Sequence, residues 1–319
     1  MHLGNLREMV NLRVACSFVA EVFVLLLRTV YCYGESLYRC VVPPRQKDIR
    51  GKVTVVTGGG SGIGRALATR FADSGACVAV WDINKDGADE TVREIRSRGG
   101  VARAYTCDVS RVDDVAEAAR QVRADLGDVD VVVNNAGCCS CRHLLELSHS
   151  DIRRTFDVNV LAHFWTVKEF LPAMLTRNNG HIVTVASMSA RGGHTMLTDY
   201  CASKHASFGF TEALAEEMRQ VGATGVFTTT VCPLFVDTNL VKKMNERVVL
   251  TNRFEDGRLL TADEVAETTV AGVLRNERYV YIPRMAGWAG LQEFMPEKVK
   301  NYLNDFVGIG FHPVEKKAM

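Results

Sequence analysis

Tyr200 and Lys204 stand four residues apart in the run Tyr200-Cys201-Ala202-Ser203-Lys204. On a helix that spacing places both side chains on one face, and a phenol beside an ammonium suits acid–base chemistry. A tyrosine with a pKa near 10 is a poor base at neutral pH unaided, and a positive charge one helical turn away favours its phenolate. Ser187 is a candidate to hydrogen-bond a reacting oxygen, and Asn159, within the helical Phe156-Asp157-Val158-Asn159-Val160, is a candidate to hold a water linking Lys204 to solvent. Each residue alone is ordinary, since a lone tyrosine is usually a core edge and a lone lysine is usually solvated.

A second set of residues supplies a reason to take them together. Thr57-Gly58-Gly59-Gly60-Ser61-Gly62-Ile63-Gly64 ends a β-branched run and opens a helical one. Glycines let the backbone turn tightly and approach a pyrophosphate, which then lies at a helix N-terminus where N–H groups and the dipole favour an anion. Eighteen residues beyond Gly64, Asp82 ends the next β-branched run, where a carboxylate accepts both ribose hydroxyls of adenosine and repels a 2′-phosphate. With Ile83 and Asn84 after it and Ser61 rather than a basic residue in the loop, the reading is NAD rather than NADP. A plainer reading makes Asp82 the cap of the helix beginning near Lys85. An oxidised nicotinamide would add its positive charge to that of Lys204 beside Tyr200.

The elements that must position these groups follow from the alternation after Gly51. Val53–Thr57, Cys77–Trp81, Val101–Thr106, Val129–Val133, His181–Ala186, Val226–Val231 and Tyr279–Ile282 read as strands, with helical stretches near 63–74, 85–98, 111–125, 151–177, 199–220 and 262–275 between them. Strands joined by helical crossovers pair in parallel. The expected fold is α/β: a doubly wound, Rossmann-like, mostly seven-stranded parallel sheet with helices on both faces. Ligands in such sheets bind beyond the carboxyl ends of the strands, which draws attention to Asp108, to Asn134-Asn135-Ala136-Gly137 and to Ser187.

Ahead of this pattern, Val14–Leu27 is apolar except for Ser17 and Glu21 and is bracketed by Arg13 and Arg28. As a helix it spans only about 21 Å, short of the roughly 30 Å hydrocarbon core. A cleaved signal peptide is disfavoured by Arg28-Thr29-Val30-Tyr31-Cys32-Tyr33, which offers no small-residue cleavage site, and a soluble core helix is the bland alternative. An uncleaved anchor or interfacial helix is preferred, with the basic residues from Arg28 to Lys52 keeping the following domain on the cytosolic side. Pro43-Pro44 then marks an extended linker.

The 319 residues carry 38 Lys and Arg against 37 Asp and Glu, a formal net charge of +1, so no global basic field exists to hold nucleic acid. The first 50 residues hold seven basic groups and four acids, which places the small excess at the N-terminus. Ten scattered cysteines point to a reducing compartment rather than a secreted disulfide scaffold. Cys138, Cys139 and Cys141, with His143 and His149 near in sequence, raise a zinc or redox role, but no second ligand pair is spaced for a metal, and small pocket-lining side chains are the preferred reading.

With T-G-x-x-x-G-x-G at Thr57–Gly64, N-N-A-G at Asn134–Gly137, Ser187 and Y-x-x-x-K at Tyr200–Lys204, residues 51–283 resemble the short-chain dehydrogenase/reductase superfamily. The resemblance implies Tyr200 as catalytic acid/base, Lys204 lowering its pKa and binding the nicotinamide ribose, Ser187 orienting substrate and Asn159 completing a tetrad. It implies cofactor contacts from Gly58, Ser61, Gly62, Ile63, Gly64, Asp82, Asp108, Asn135, Ala136, Gly137 and Pro233 as well as Tyr200 and Lys204. Cys232-Pro233-Leu234-Phe235 departs from the Pro-Gly that many members carry after the sixth strand. Trp81–Lys85, Asn159–Trp165, Phe170–Met174 and His181–Ser187, with the hydrophobic N-terminus, look like the branch of epidermal retinol dehydrogenases and lipid-droplet 17β-hydroxysteroid dehydrogenases.

The expectation is therefore an NAD-dependent oxidoreductase, a homodimer by resemblance, that oxidises the hydroxyl of a lipophilic alcohol. Retinol comes first and a hydroxysteroid second, at an endoplasmic reticulum membrane or lipid-droplet surface with the catalytic domain in the cytosol. The alternatives are an NADPH-linked keto-lipid reductase and a membrane-surface protein with a non-catalytic dehydrogenase fold. The expected divisions are an anchor or interfacial helix at 1–42, a linker at 43–50, the dehydrogenase domain at 51–283 and a helical extension at 284–319. In that extension Met285, Trp288, Leu291, Phe294, Met295, Val299, Leu303 and Phe306 form an apolar face, and Lys316-Lys317-Ala318-Met319 matches a K-K-x-x retrieval pattern. Loops near 138–148, 188–198 and 234–258 are the expected pocket walls.

Overall fold

The computed structural model describes residues 2–241, 248–251, 259–307 and 310–313, and the chain divides into two compact units, Met1–Gln46 and Lys47–Met319. The first unit is dominated by one helix, α1 (His2–Val41). Its length is the main departure from the sequence reading: the helix does not stop at Arg28 but runs on through Thr29–Tyr33. Thr29 Oγ1 donates to the Leu25 carbonyl at 2.8 Å, and Arg39 pairs with Glu35 one turn away at 2.5 Å. The apolar portion becomes Ser17–Arg39, 23 residues with mean hydropathy 1.4, or about 35 Å of helix. That is long and apolar enough to cross a membrane.

In the second unit every anticipated strand forms. β1 (Val53–Thr57), β2 (Cys77–Asp82), β3 (Val101–Thr106), β4 (Val129–Asn134), β5 (Gly180–Val185) and β6 (Val226–Pro233) join β8 (Tyr279–Ile282) in one sheet of order β3-β2-β1-β4-β5-β6-β8. All of its pairings are parallel. A two-stranded antiparallel pair, β7 (Val248–Thr251) with β9 (Gly310–Pro313), lies outside it and had no signature in the sequence pattern.

Successive strand residues face opposite sides, and both sides are covered. Val56, Val78 and Val80 pack under α2 (Gly62–Asp73), α3 (Lys85–Ser97) and α8 (Ala262–Leu274), with Leu67, Phe71 and Val270 among the buried contributors. Val55, Ala79 and Trp81 pack on the other side under α4 (Val112–Leu126), α6 (Ala162–Arg177) and α7 (Thr198–Gln220), where Trp81 and Phe170 stand 5.9 Å apart. Each fully buried Leu or Phe contributes roughly 1.5–3 kcal/mol, so it is the doubly covered valine-rich sheet that fixes where the strands end.

The long helix expected over 151–177 is interrupted. α5 (His149–Phe156), opened by a Ser148–Asp151 capping box, passes into a π-turn at Asp157–Leu161 before α6 begins. A π-turn adds one residue to a helical turn and commonly marks a functional position; here it holds Asn159 fully buried. Residues 284–294 form a 3-10 helix rather than an α-helix, followed by α9 (Glu297–Val307). The expected stripe therefore divides differently: Met285, Trp288, Leu291, Met295 and Leu303 line the main cavity, Met285 and Trp288 while largely exposed, and exposed Phe294 does not line it. The Phe306 side chain, residues 242–247 and 252–258 of the third expected wall, and Lys316–Met319 lie outside the described residues.

Candidate active site

Gly58 takes φ +64 and Gly62 φ +51, a left-handed backbone that side-chain-bearing residues rarely adopt. Between them the chain turns from the end of β1 to the start of α2. A Cβ on Gly64 would lie 2.0 Å from the Gly58 carbonyl oxygen, and one on Gly58 would lie 2.9 Å from the Ala136 Cα. The N-N-A-G segment braces this loop from β4: Asn135 Nδ2 donates to the Thr57 carbonyl at 2.9 Å, while the backbone N–H groups of Asn135 and Ala136 both donate to Thr57 Oγ1. Ser61, the N-cap residue of α2, makes no side-chain capping bond, leaving the first N–H groups of that helix facing the cavity mouth. These are the donors an anionic pyrophosphate requires.

Asp82 lies beside this loop at the end of β2. Its carboxylate accepts from Gly60 N at 2.9 Å and Asn84 N at 2.8 Å. The cap of α3 is Asn84, whose Oδ1 accepts from Gly87 N, so capping is not what Asp82 does. Asp108 accepts from Ser110 N and Ser110 Oγ, a local turn that fixes the carboxylate at the end of β3.

Tyr200 and Lys204 lie on one face of α7, with Lys204 Nζ 5.6 Å from the Tyr200 ring centre. Lys204 is 4% exposed and its ammonium donates to the Val185 carbonyl at 2.9 Å. Burial lowers it to about 8. Burial also pushes the Tyr200 phenol up, reinforced by neighbouring Cys139, whereas a hydrogen bond with Ser187 works in the opposite direction. Ser187, at the end of β5, additionally accepts from Ser189 N at 3.1 Å.

Asn159 is used up locally. Its Oδ1 accepts from Cys138 N at 2.8 Å, and its Nδ2 donates to the Cys138 carbonyl and to Ser203 Oγ at 3.0 and 2.9 Å. Ser207 Oγ donates to its backbone carbonyl at 2.7 Å. The π-turn thus clamps the start of the 138–148 loop to α7, and Thr57, Ser203 and Ser207 are the partners that sequence reasoning missed. Nothing but their position beside the motifs could have flagged them.

These groups converge on one cavity of about 1100 Å³, lined by every residue assigned above to catalysis or cofactor binding except Asn159, which lies behind Cys138. From the glycine loop the cavity runs past Tyr200 to apolar walls made by Met188, Leu197, Phe235, Val241, Met285, Trp288, Leu291 and Leu303. The segments 188–198 and 234–241 contribute to it, and of the 138–148 loop only Cys138 does.

The glycine cradle, its brace and the tyrosine–lysine face define a nucleotide-dependent oxidoreductase. The short chain dehydrogenase family model matches residues 52–248, and the chain belongs to that family. It is 38% identical over 299 residues to human (Homo sapiens) 17-beta-hydroxysteroid dehydrogenase 13, covering 93% of this chain and 97% of the relative. It is 37% identical over 298 residues to estradiol 17-beta-dehydrogenase 11 of Pongo abelii, with the same coverage. Among solved structures, a short chain dehydrogenase/reductase from Burkholderia phymatum in complex with NAD superposes with TM-score 0.69 at 27% identity over 86% of this chain and all of the other. A metagenomic short-chain oxidoreductase in complex with NADP reaches TM-score 0.61 at 28% identity over 74% of this chain and 97% of the other.

Proposed function

We propose that this chain is an NAD-dependent dehydrogenase that oxidises the hydroxyl of a lipophilic alcohol. The observation that carries the reading is the cavity that joins the glycine loop, Tyr200 and Lys204 to walls carrying Met188, Leu197, Phe235, Met285, Trp288 and Leu291. The cradle formed by Gly58, Gly62 and Gly64, the uncapped start of α2 and the Asp82 carboxylate fit a dinucleotide with two free ribose hydroxyls. Bound there, NAD would supply a hydride acceptor and a positive charge.

Ser187 holds the substrate oxygen beside Tyr200, and Tyr200 takes the hydroxyl proton as its phenolate. Burial works against that phenolate, so the Lys204 ammonium and the Ser187 hydrogen bond must offset it. With the dinucleotide bound, Lys204 would also donate to the nicotinamide ribose, and a water held at Asn159 would link Lys204 to solvent. Proximity and orientation supply most of the acceleration.

Retinol and a hydroxysteroid both suit apolar walls, and the names of the relatives favour the steroid over the retinol placed first from sequence. α1 would hold the enzyme at an endoplasmic reticulum or lipid-droplet surface with the catalytic unit in the cytosol, as anchor or interfacial helix, and a homodimer is the proposed assembly. The test is NAD-dependent oxidation of all-trans-retinol, a 17β-hydroxysteroid and a long-chain alcohol by the detergent-solubilised full chain, with Tyr200→Phe as control. Turnover of one substrate, lost in the control, supports the reading; unchanged turnover in Tyr200→Phe overturns the assignment of the base, and NADPH-linked reduction alone would favour the reductase.

A further inference from the structure

In the cysteine-rich start of the 138–148 loop, Cys139 and Cys141 hold no proton and touch no ligand in this chemistry. Among the described residues no group of three His, Cys, Asp or Glu side chains is placed to hold a metal ion, yet two of the sulfurs do meet. Cys139 Sγ and Cys141 Sγ lie 3.1 Å apart, and Cys141 takes a left-handed backbone at φ +52, a conformation that costs energy for a residue with a side chain. The loop cannot relax this at its start, because Asn159 grips Cys138 through both its N–H and its carbonyl. Cys141 is buried with Met196, Leu197, Cys201 and Val241, and Cys139 and Tyr200 pack against the same cluster.

We propose that Cys139 and Cys141 are a modification site, a dithiol oxidised reversibly by hydroperoxides to an intramolecular disulfide that deforms the wall behind Tyr200. In the first step the thiolate of one cysteine attacks the peroxide O–O bond, forming a sulfenic acid; the released alkoxide takes up a proton and leaves as an alcohol. In the second step the other thiol attacks the sulfenic sulfur, the S–S bond forms and water leaves. Two electrons pass from the sulfurs to the peroxide, and a dithiol reductant returns them. The hydrogen bond with Cys141, followed by burial, pushes the Cys139 thiol up, so the pair resists double ionisation. Closing the sulfurs from 3.1 Å to bonding distance brings them together by about 1 Å, and a displacement of that size passed on to reacting groups can cost about a hundredfold in rate. The glycine loop and its Asn135 brace are untouched, so cofactor binding survives.

The experiment treats the full-length, detergent-solubilised protein with tert-butyl hydroperoxide and maps its peptides by mass. The expected result is loss of two hydrogens from the peptide containing Cys139 and Cys141, reversed by dithiothreitol and absent in both Cys139→Ser and Cys141→Ala. Capture of phenylarsine oxide by the untreated protein, lost in the same two variants, is the second expected result. A peptide that keeps both thiols, or a disulfide that persists in Cys139→Ser through Cys138, overturns the site. The effect on rate rests on the dehydrogenase reading: turnover should fall at least tenfold on oxidation while NAD affinity is retained, and unchanged turnover overturns the deformation. If the untreated enzyme oxidises no alcohol, the dehydrogenase reading fails while the mass measurement still decides the site.

Discussion

The cofactor end of the cavity and its substrate end are built on different principles. At the cofactor end the polar groups are tied to backbone before any ligand arrives: Thr57 to Asn135 and Ala136, Asp82 to Gly60 and Asn84, Asn159 to Cys138. At the substrate end the walls are apolar side chains on short 3-10 turns and loops, with Met285 79% and Trp288 71% exposed. A ligand of fixed shape suits preformed hydrogen-bonding geometry, whereas a lipophilic ligand needs area and tolerates variation. Changes at the first end should therefore be steep and specific, and those at the second shallow.

The steepest expected effect is Gly64→Ala. The new Cβ would collide with a carbonyl 2.0 Å away, so the variant should lose NAD binding and stability together, measured by calorimetry and thermal unfolding; a variant that binds NAD normally would break the comparison at its strongest point. Next, Tyr200→Phe should lower kcat by about 10²–10⁴-fold while the NAD dissociation constant stays within a factor of two to three. Asp82→Ala should weaken NAD by roughly 10–100-fold, the worth of one or two charge-assisted hydrogen bonds, and relax discrimination against NADP. Equal affinity of the wild type for both cofactors would remove the NAD assignment.

A pH series sharpens the picture further. Lys204 lies at about 8 through burial, so its ammonium is present below that pH and lost above it. NAD affinity should fall several-fold between pH 7 and 9, and Lys204→Met should bind weakly with a flat profile. The smallest effect belongs to Trp288→Ala, expected to raise KM for a long lipophilic alcohol a few-fold and leave NAD binding unchanged. A large loss of NAD affinity there would show that the two ends are not separable.

The same contrast explains what the sequence disclosed. The strands were legible because β1, buried on both faces, is a continuous β-branched run, Val53-Thr54-Val55-Val56-Thr57. The cofactor groups were legible because local spacing, as from Gly58 to Gly64 or from Tyr200 to Lys204, is enough to place them. The π-turn was not, because Asp157–Leu161 carries an ordinary helical pattern and its cause is a long-range grip on Cys138 and Ser203. The meeting of Cys139 with Cys141 depends on a left-handed residue that is not glycine, and no spacing rule anticipates that. In α1 the periodic reading stopped at a charged residue, Arg28, although a helix exposed around that residue carries such a side chain without penalty to its backbone bonds.

Lys47 gives the molecule a mechanical property. Its N–H donates to the Leu274 carbonyl at 2.7 Å, and its ammonium lies 2.6 Å from His181 Nδ1, whose Nε2 in turn meets Thr229 Oγ1 at 2.7 Å. Ile49 follows, buried at 3% exposure. His181 is the second residue of β5 and Thr229 the fourth of β6, while Ser187 and Pro233 lie four to six residues further on, about 13–20 Å along the strands. A pull on Lys47 would enter the sheet through β5 and β6 and be shared between them as shear along their ladder. Load borne at Lys47 thus reaches the sheet away from the reacting groups.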